Sequence, residues 1–259
     1  MRIALGLEYD GSKFVGWQYQ PQQRTVQQSL NQAISFVANE AVETTAAGRT
    51  DSGVHALQQV VHFDTNAVRN ERNWLLGLNT HLPSDINVVW AKPVTDEFHA
   101  RFSAQSRRYR YLVLNRMSRS AVYHQRAWWV FHPLDIDRMQ AAASQLIGHH
   151  DFSAFRAKEC QAKSPMKTLD EISIIKHGDF IAIDVKAKSF LHHMVRNLVG
   201  VLVPVGQGKK PGNWPKQVLQ SRERMQGGVT APAAGLYFVN VDYPEKYQLP
   251  TVSAFPVVW

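Results

Sequence analysis

Residues 46–57 read AAGRTDSGVHAL, and this short run decides how the rest of the chain is read. A carboxylate, Asp51, and a guanidinium, Arg49, lie between Gly48 and Gly53, with His55 four positions on. Glycines so placed predict a tight loop, because they accept turns and close backbone approach that a Cβ would block. Strand-like residues follow at once in QQVVHFDT (58–65), where Val60, Val61 and Phe63 supply the apolar positions. The run is therefore a loop feeding a strand. Taken alone, Asp51 is as readily a turn former as a reactive group. Its pairing with Arg49 sets it apart from the other acids, such as Asp10 before Gly11, which reads as a turn residue.

Outward from this loop the first half reads strand, helix, strand, helix, strand. RIALGLEYDG (2–11) alternates and ends in a turn signal. Thr25 caps a run in which Val26, Leu30, Ala33, Ile34 and Val37 follow helical spacing. NWLLGLNTHLP (73–83) predicts a short helix stopped by Pro83, and INVVWAKPV (86–94) a strand. The second half repeats this grammar. RRYRYLVLN (107–115) is a strand, DIDRMQAAASQLIGHH (135–150) a helix and GDFIAIDVKAKS (178–189) a strand. FLHHMVRNLVGVLVPVG (190–206) is a helix, and GLYFVNVDY (235–243) a closing strand. The pattern predicts an α+β fold of two related halves, each an antiparallel sheet flanked by helices, with an active-site cleft between them. The boundary falls near residues 96–106. It divides residues 1–100, which carry the aspartate loop, from 101–259, which carry the tyrosine strand and the arginine helix.

Composition narrows the class. The chain has 259 residues, 44% of them hydrophobic, enough for a proper core. No apolar run approaches the roughly 20 residues of a membrane span, and the acidic and polar start MRIALGLEYDGSKF does not read as a cleavable signal. The single cysteine, Cys160, excludes an internal disulfide and fits a reducing, cytoplasmic setting. Net charge is +8. From Phe98 to Leu134 there is no Asp or Glu, yet Arg101, Arg107, Arg108, Arg110, Arg116, Arg119 and Arg126 fall inside. A concentrated arginine stripe with aromatics interleaved is the footprint of a polyanion binder, although a solvated basic face would look similar.

Two further stretches carry candidate chemistry. Period-two alternation in RRYRY puts Arg107, Tyr109 and Tyr111 on one face and Arg108 and Arg110 on the other. Such tyrosines serve either as core packing or as a stacking platform for bases. In the helix from Phe190, apolar residues cover most of the circumference, leaving one polar stripe of Ser189, His192 or His193, Arg196 and Gly200. A buried Arg196 needs an acid or other acceptors, and Asp51 is one candidate for a structural or functional pair. Neither His192–His193 nor His149–His150 has the spacing that lets two imidazoles share an ion, and there is no cysteine cluster, P-loop or dinucleotide fingerprint. No metal and no cofactor are expected.

Together the motifs resemble the bacterial tRNA pseudouridine synthase A family, the tRNA pseudouridine(38–40) synthases. The resemblance runs in order through ALGLEYDGSKFVGWQYQ, RTVQQSL, AAGRTDSGVHALQQVVHF, FHARFSAQSRRYRYLVLN, FLHHMVRNLVG and GLYFVNVDYP, nearly the whole chain. It implies a cofactor-free isomerase that converts uridine to pseudouridine at positions 38, 39 and 40 in the anticodon stem-loop of tRNA. It further implies a homodimer, with one tRNA reaching across both subunits. By the same resemblance Asp51 is the nucleophile, Tyr109 stacks on the target base, Arg196 pairs with Asp51 and Leu236 is the apolar residue beside the base. Arg49 is linked with flipping the base, and Phe98, His99, Ala100, Arg101 and Phe102 form an RNA contact centred on Arg101. Arg69 and the loop RAKECQAKSPMK, with Arg156, Lys158, Lys163 and Lys167, are further candidates for tRNA contact. Carboxylates are ionised at neutral pH, so an aspartate nucleophile needs no general base. Attack on C1′, addition to C6 and a glycal-like elimination are all compatible with one carboxylate. A noncatalytic RNA-binding protein of the same fold would share the arginines and tyrosines but would not require Asp51; a metal-dependent nuclease is a more remote alternative.

Overall fold

A computed structural model describes residues 1–251. In chain order the elements are β1 (Arg2–Tyr9), α1 (Val26–Ala38), β2 (Thr45–Ala46), β3 (His55–Asp64), α2 (Glu71–His81), β4 (Ile86–Val94) and β5 (Ser106–Asn115). There follow β6 (Trp128–Val130), α3 (Ile136–Ser144), β7 (Gly148–Asp151), β8 (Met166–His177), β9 (Phe180–Ala187), α4 (Met194–Gly206), α5 (Trp214–Ser221) and β10 (Leu236–Asp242). The fold is α+β, and its contacts group into two compact units. Residues Met1–Ser106 join the segment from Tyr237 onward, and Arg107–Leu236 form the second unit. The expected division at 100/101, with the closing strand in the second half, differs from this grouping. The contacts group that strand from Tyr237 with the first unit, where Tyr237 and Phe238 pair with His55 and Ala56 of β3.

In the first unit β1 lies between β3 and β4, antiparallel to both. Ile3, Ala4, Leu5 and Leu7 have no exposed surface, so β1 is the centre of this core. The outer edge of β3 is shared: β10 runs parallel to its His55 end, and β2 pairs antiparallel with its His62 end. α1 forms as its pattern predicts. Thr25 accepts the Gln28 N–H at 3.3 Å as N-cap, Asn39 ends the helix at φ 57°, and Val26, Leu30, Ala33, Ile34 and Val37 are buried. α2 is capped by Asn70, which accepts the Asn73 N–H at 2.8 Å, and it buries Trp74 and Leu78 against β4 and α1.

In the second unit β5 pairs with β9, β9 with β8 and β8 with β7, all antiparallel, while β6 lies parallel to the far end of β5. Almost every residue of β5 is buried, so both its faces are covered. Arg110 stands opposite Asp184 of β9 and binds it bidentately, Nε to Oδ1 at 2.7 Å and the second nitrogen to Oδ2 at 2.8 Å. Arg108 pairs with Glu171 at 3.0 Å and Arg116 with Asp179 at 3.4 Å, while the buried Arg107 donates to the Lys188 carbonyl at 2.6 Å. The arginine stripe is thus no uniform polyanion surface; acids of β8 and β9 and of the turn between them engage Arg108, Arg110 and Arg116.

Two expectations are corrected. The helix predicted over 135–150 ends at Ser144, and Gly148, at φ 113°, turns the chain into β7, where it pairs with Leu169 of β8. The helix predicted from Phe190 begins only at Met194. His193 is left-handed at φ 61°, the His192 N–H donates to Cys160 Sγ at 3.3 Å and the His192 carbonyl accepts from Ala157 at 3.0 Å, so these groups are not available to a helix. β8 and α5 were not anticipated; β8 buries only Leu169, Ile172 and Ile174 of its twelve residues, too few to announce a strand. Among the described residues no helix is long and apolar enough to cross a membrane.

The Arg110–Asp184 pair sits in the interior, with side chains 9% and 11% exposed. Asp184→Ala leaves a guanidinium buried without its acid and is expected to lower unfolding free energy by about 3 kcal/mol. Urea denaturation measures this; an Arg110→Met/Asp184→Leu double variant should recover most of the loss.

Candidate active site

The loop that carries Asp51 is fixed from several sides. Before it, the Ala47 N–H donates to the Val60 carbonyl at 2.8 Å, and Gln59 reaches the Gly48 carbonyl at 2.6 Å. Thr50, buried, shares a hydrogen bond of 2.8 Å with the hydroxyl of Tyr9, and its carbonyl accepts from Trp17 at 3.0 Å. Burial pushes the Tyr9 hydroxyl up to about 12, so it stays protonated at neutral pH and holds this bond. After it, Gly53 takes φ 77° and donates to the Phe14 carbonyl at 3.3 Å, and Val54 closes a turn on the Asp51 carbonyl at 3.1 Å. A Cβ on Gly16 would stand 2.8 Å from the Thr50 carbonyl oxygen, and one on Gly11 only 1.9 Å from that of Val54. Two glycines far away in sequence therefore press directly on this loop.

Within that frame Asp51 is half-buried and Arg49 exposed. His55, at the loop's exit, is buried and stacks on Tyr237 with ring centroids 4.7 Å apart. Its Nδ1 accepts the Gly11 N–H at 3.1 Å. Asp10 accepts the Ser12 N–H at 3.0 Å, the turn-forming role expected of it. The arrangement presents one carboxylate from a rigid backbone with a guanidinium two residues before it.

In the second unit Tyr109 is buried on β5, and its ring meets Phe190 edge-on at 5.0 Å. Tyr111 is fully buried and donates to the Pro232 carbonyl at 2.7 Å, which makes it a core residue. Arg196 is half-buried, not buried as its helix predicted. Its Nε donates to the Ala231 carbonyl at 2.8 Å, while its own carbonyl accepts the Ala231 N–H at 3.2 Å. This reciprocal clamp needs α4 and the 228–231 segment in contact, and Gly200 permits it: a Cβ there would lie 1.8 Å from the Val229 carbonyl oxygen. Leu236 is buried at the start of β10, just after Gly235, which has room for no side chain beside the ring of Tyr111.

The segment FHARF separates into anchors and presented groups. Phe98 and Ala100 have no exposed surface. The Phe98 ring packs on Tyr243 and Tyr247, and the backbone of Ala100 is held by His62 Nδ1 and by the Tyr243 hydroxyl at 3.1 and 2.6 Å. His99 is half-buried and accepts the N–H groups of Arg101 and Phe102 at 3.2 Å, which turns both side chains outward. Phe102 is 75% exposed and Arg101 lies over its ring at 5.5 Å. Arg69 and Lys163 are exposed, whereas Arg156 folds inward onto the carbonyls of Cys160 and Ala162 at 2.5 and 3.0 Å. Sequence reasoning missed the supports: Tyr9, Thr50, Gln59, Gly11 and Ala231. Their only signal is spatial, since each acts on a residue distant in the chain.

Comparison with known proteins follows this geometry. The profile of a family described as tRNA pseudouridine synthase matches residues 7–103 and 142–244. A protein of Nitrosococcus oceani named tRNA pseudouridine synthase A is 54% identical over 259 residues, the whole of both chains. Proteins of the same name from Shewanella amazonensis and Enterobacter sp. (strain 638) are 51% and 50% identical. They match 99% of this chain in each case, and 98% and 95% of their own.

Gly11→Ala forces Val54 and the turn behind Asp51 to move, and the expected result is faster amide exchange across residues 50–54 with a lower Tm; unchanged exchange there would contradict the clamp. A second expectation concerns pH. Burial, together with the nearby charges of His99 and Arg2, depresses His62 to about 4, well below its ordinary 6.5. The unfolded chain then binds the extra proton between those values, so stability is fully present above about pH 6.5 and falls as pH drops toward 4. His62→Asn, which keeps an acceptor for Ala100, should flatten that fall in Tm measured from pH 7 to 4.

Proposed function

The chain belongs to the tRNA pseudouridine synthase family, isomerases that convert uridine to pseudouridine in tRNA, and from that membership we propose that Asp51 is the nucleophile. The reaction breaks the bond from N1 to C1′, turns the uracil and forms a bond from C5 to C1′. The proton on C5 leaves and N1 gains one, so nothing is added or lost overall. A carboxylate suits this work because it is already ionised and can form and release a covalent bond. The observation that supports the assignment is the half-buried Asp51 on a backbone fixed by Tyr9, Gly11 and Gly16. A reacting group so held loses little freedom when substrate arrives.

The other roles follow from the same reading. Tyr109 offers a ring to the detached base, Leu236 an apolar wall, and Arg196 a cation for the carboxylate, steadied by the Ala231 clamp. Arg49, exposed beside Asp51, takes the space the base leaves, and extrusion costs a few kcal/mol. Arg101 and Phe102 meet RNA at the protein surface, with Phe98 and Ala100 as their anchors and His99 between them; Arg69 and Lys163 add outer contacts. The targets proposed are uridines 38, 39 and 40 of the anticodon stem-loop, and the working form a cytoplasmic homodimer.

Asp51→Asn, nearly the same shape but uncharged, is expected to reduce pseudouridine formation at least about a thousandfold while tRNA affinity stays within a few fold. Tritium release from tRNA labelled at C5 of uridine, read beside a binding titration, measures both. Normal turnover by this variant would remove Asp51 from the role.

A further inference from the structure

The loop between β5 and β6 is absorbed by none of these roles, yet it is built with care. Arg116 organises its start: Nε donates to the Ser118 carbonyl at 2.9 Å, a second nitrogen reaches the Arg119 carbonyl at 3.4 Å, and the third faces Asp179 at 3.4 Å. The indole N–H of Trp129 returns to the Arg116 carbonyl at 2.9 Å. Farther along, the Tyr123 ring stands edge-on to Phe180 at 4.8 Å, and Arg126 donates its N–H to the Tyr123 carbonyl at 3.0 Å. Asn115 closes the base, donating to the carbonyls of Val130 and His132 at 2.8 and 2.7 Å.

What this scaffold presents is cationic and aromatic. Arg119 and Arg126 are exposed on the loop, and Trp129 and Phe131 beside it are 40% and 47% exposed with centroids 6.0 Å apart. No Asp or Glu occurs between Phe98 and Leu134, so the loop itself contributes no opposing charge. Guanidinium groups beside flat rings are the chemistry that recognises a phosphate backbone and unpaired bases. The loop also has a definite place. Tyr109 and Asn115 are six residues apart on β5, which at a strand rise of about 3.3 Å per residue separates the loop from Tyr109 by roughly 20 Å.

We propose that the 116–126 loop, with Trp129 and Phe131, is a second RNA contact that grips the tRNA backbone roughly 20 Å from the reacting nucleotide. Local charge selects RNA as the occupant: Arg119 and Arg126 are exposed on a loop that holds no acid, which calls for a polyanion. The inference rests on tRNA being the substrate and is independent of the role given to Asp51. It predicts a contact that sets affinity and leaves chemistry alone.

The test is an Arg119→Ala/Arg126→Ala double variant titrated with a full-length tRNA transcript and with its isolated anticodon stem-loop, across a range of salt. For full-length tRNA, Kd should rise several-fold and the salt slope fall by about 2, while kcat at saturation stays as in the parent protein. For the isolated stem-loop the change should be smaller. A double Arg→Lys variant, which keeps the charge, should restore most of the slope. An unchanged slope, or a fall in kcat at unchanged Kd, overturns the proposal. A shift in sedimentation to a smaller species, with RNA binding otherwise intact, would assign the surface to a second copy of the chain and overturn it equally. Because binding can be read in the Asp51→Asn protein, failure of this proposal is distinguishable from failure of the nucleophile assignment.

Discussion

The hydrogen bond between Tyr9 and Thr50, inside the first unit, is the tie on which the candidate site depends. It joins the central strand of that core to the residue immediately before Asp51. Both residues are buried, so losing the bond removes a hydrogen bond from the interior, at a cost of about 1–3 kcal/mol. Gly11 and Gly16 add contact that no side chain could share. The Asp51 carboxylate is therefore held on a backbone that has little freedom to lose. A second clamp works alike in the other unit, where Gly200 lets α4 touch the 228–231 segment and the Ala231 backbone holds both ends of Arg196.

Arginine is divided here between two tasks that look identical in sequence. Arg110, facing Asp184 across β5 and β9, holds strands together from within. Arg116 shapes a loop through carbonyls and Asp179. Arg101 and Arg119 are exposed at the surface. A guanidinium remains charged in each setting, so what decides its task is whether an acid or a carbonyl lies within reach. The acids that settle the matter for Arg108, Arg110 and Arg116 come from 63 to 74 residues further along the chain.

That distance marks the limit of what could be read beforehand. Local signals were legible. Thr25 and the apolar spacing behind it mark α1, the run INVVWAKPV read as a strand is β4 residue for residue, and the glycines around Asp51 mark its loop. The family resemblance was equally legible, because its motifs are contiguous. What escaped was set by partners elsewhere in space. His192 leaves its predicted helix because Cys160 and Ala157 take its backbone groups, and β8 is a strand because β7 and β9 flank it, though few of its residues are buried. Phe98 and Ala100 belong to a motif read as an RNA contact, yet their side chains are the motif's roots in the core. Within such a motif the sequence does not distinguish the residue that touches a substrate from the residue that holds it.

The central claim is that a rigidly held carboxylate at position 51 meets the ribose or base of an extruded uridine. A crystal structure of the enzyme bound to tRNA carrying 5-fluorouridine at the reacting position tests it most directly, since fluorine on C5 blocks the proton loss that ends the reaction. The account predicts the flipped nucleotide bonded to, or in contact with, a carboxylate oxygen of Asp51, with the ring of Tyr109 stacked on its base. A nucleotide seated against some other acid, with Asp51 out of reach, would contradict it.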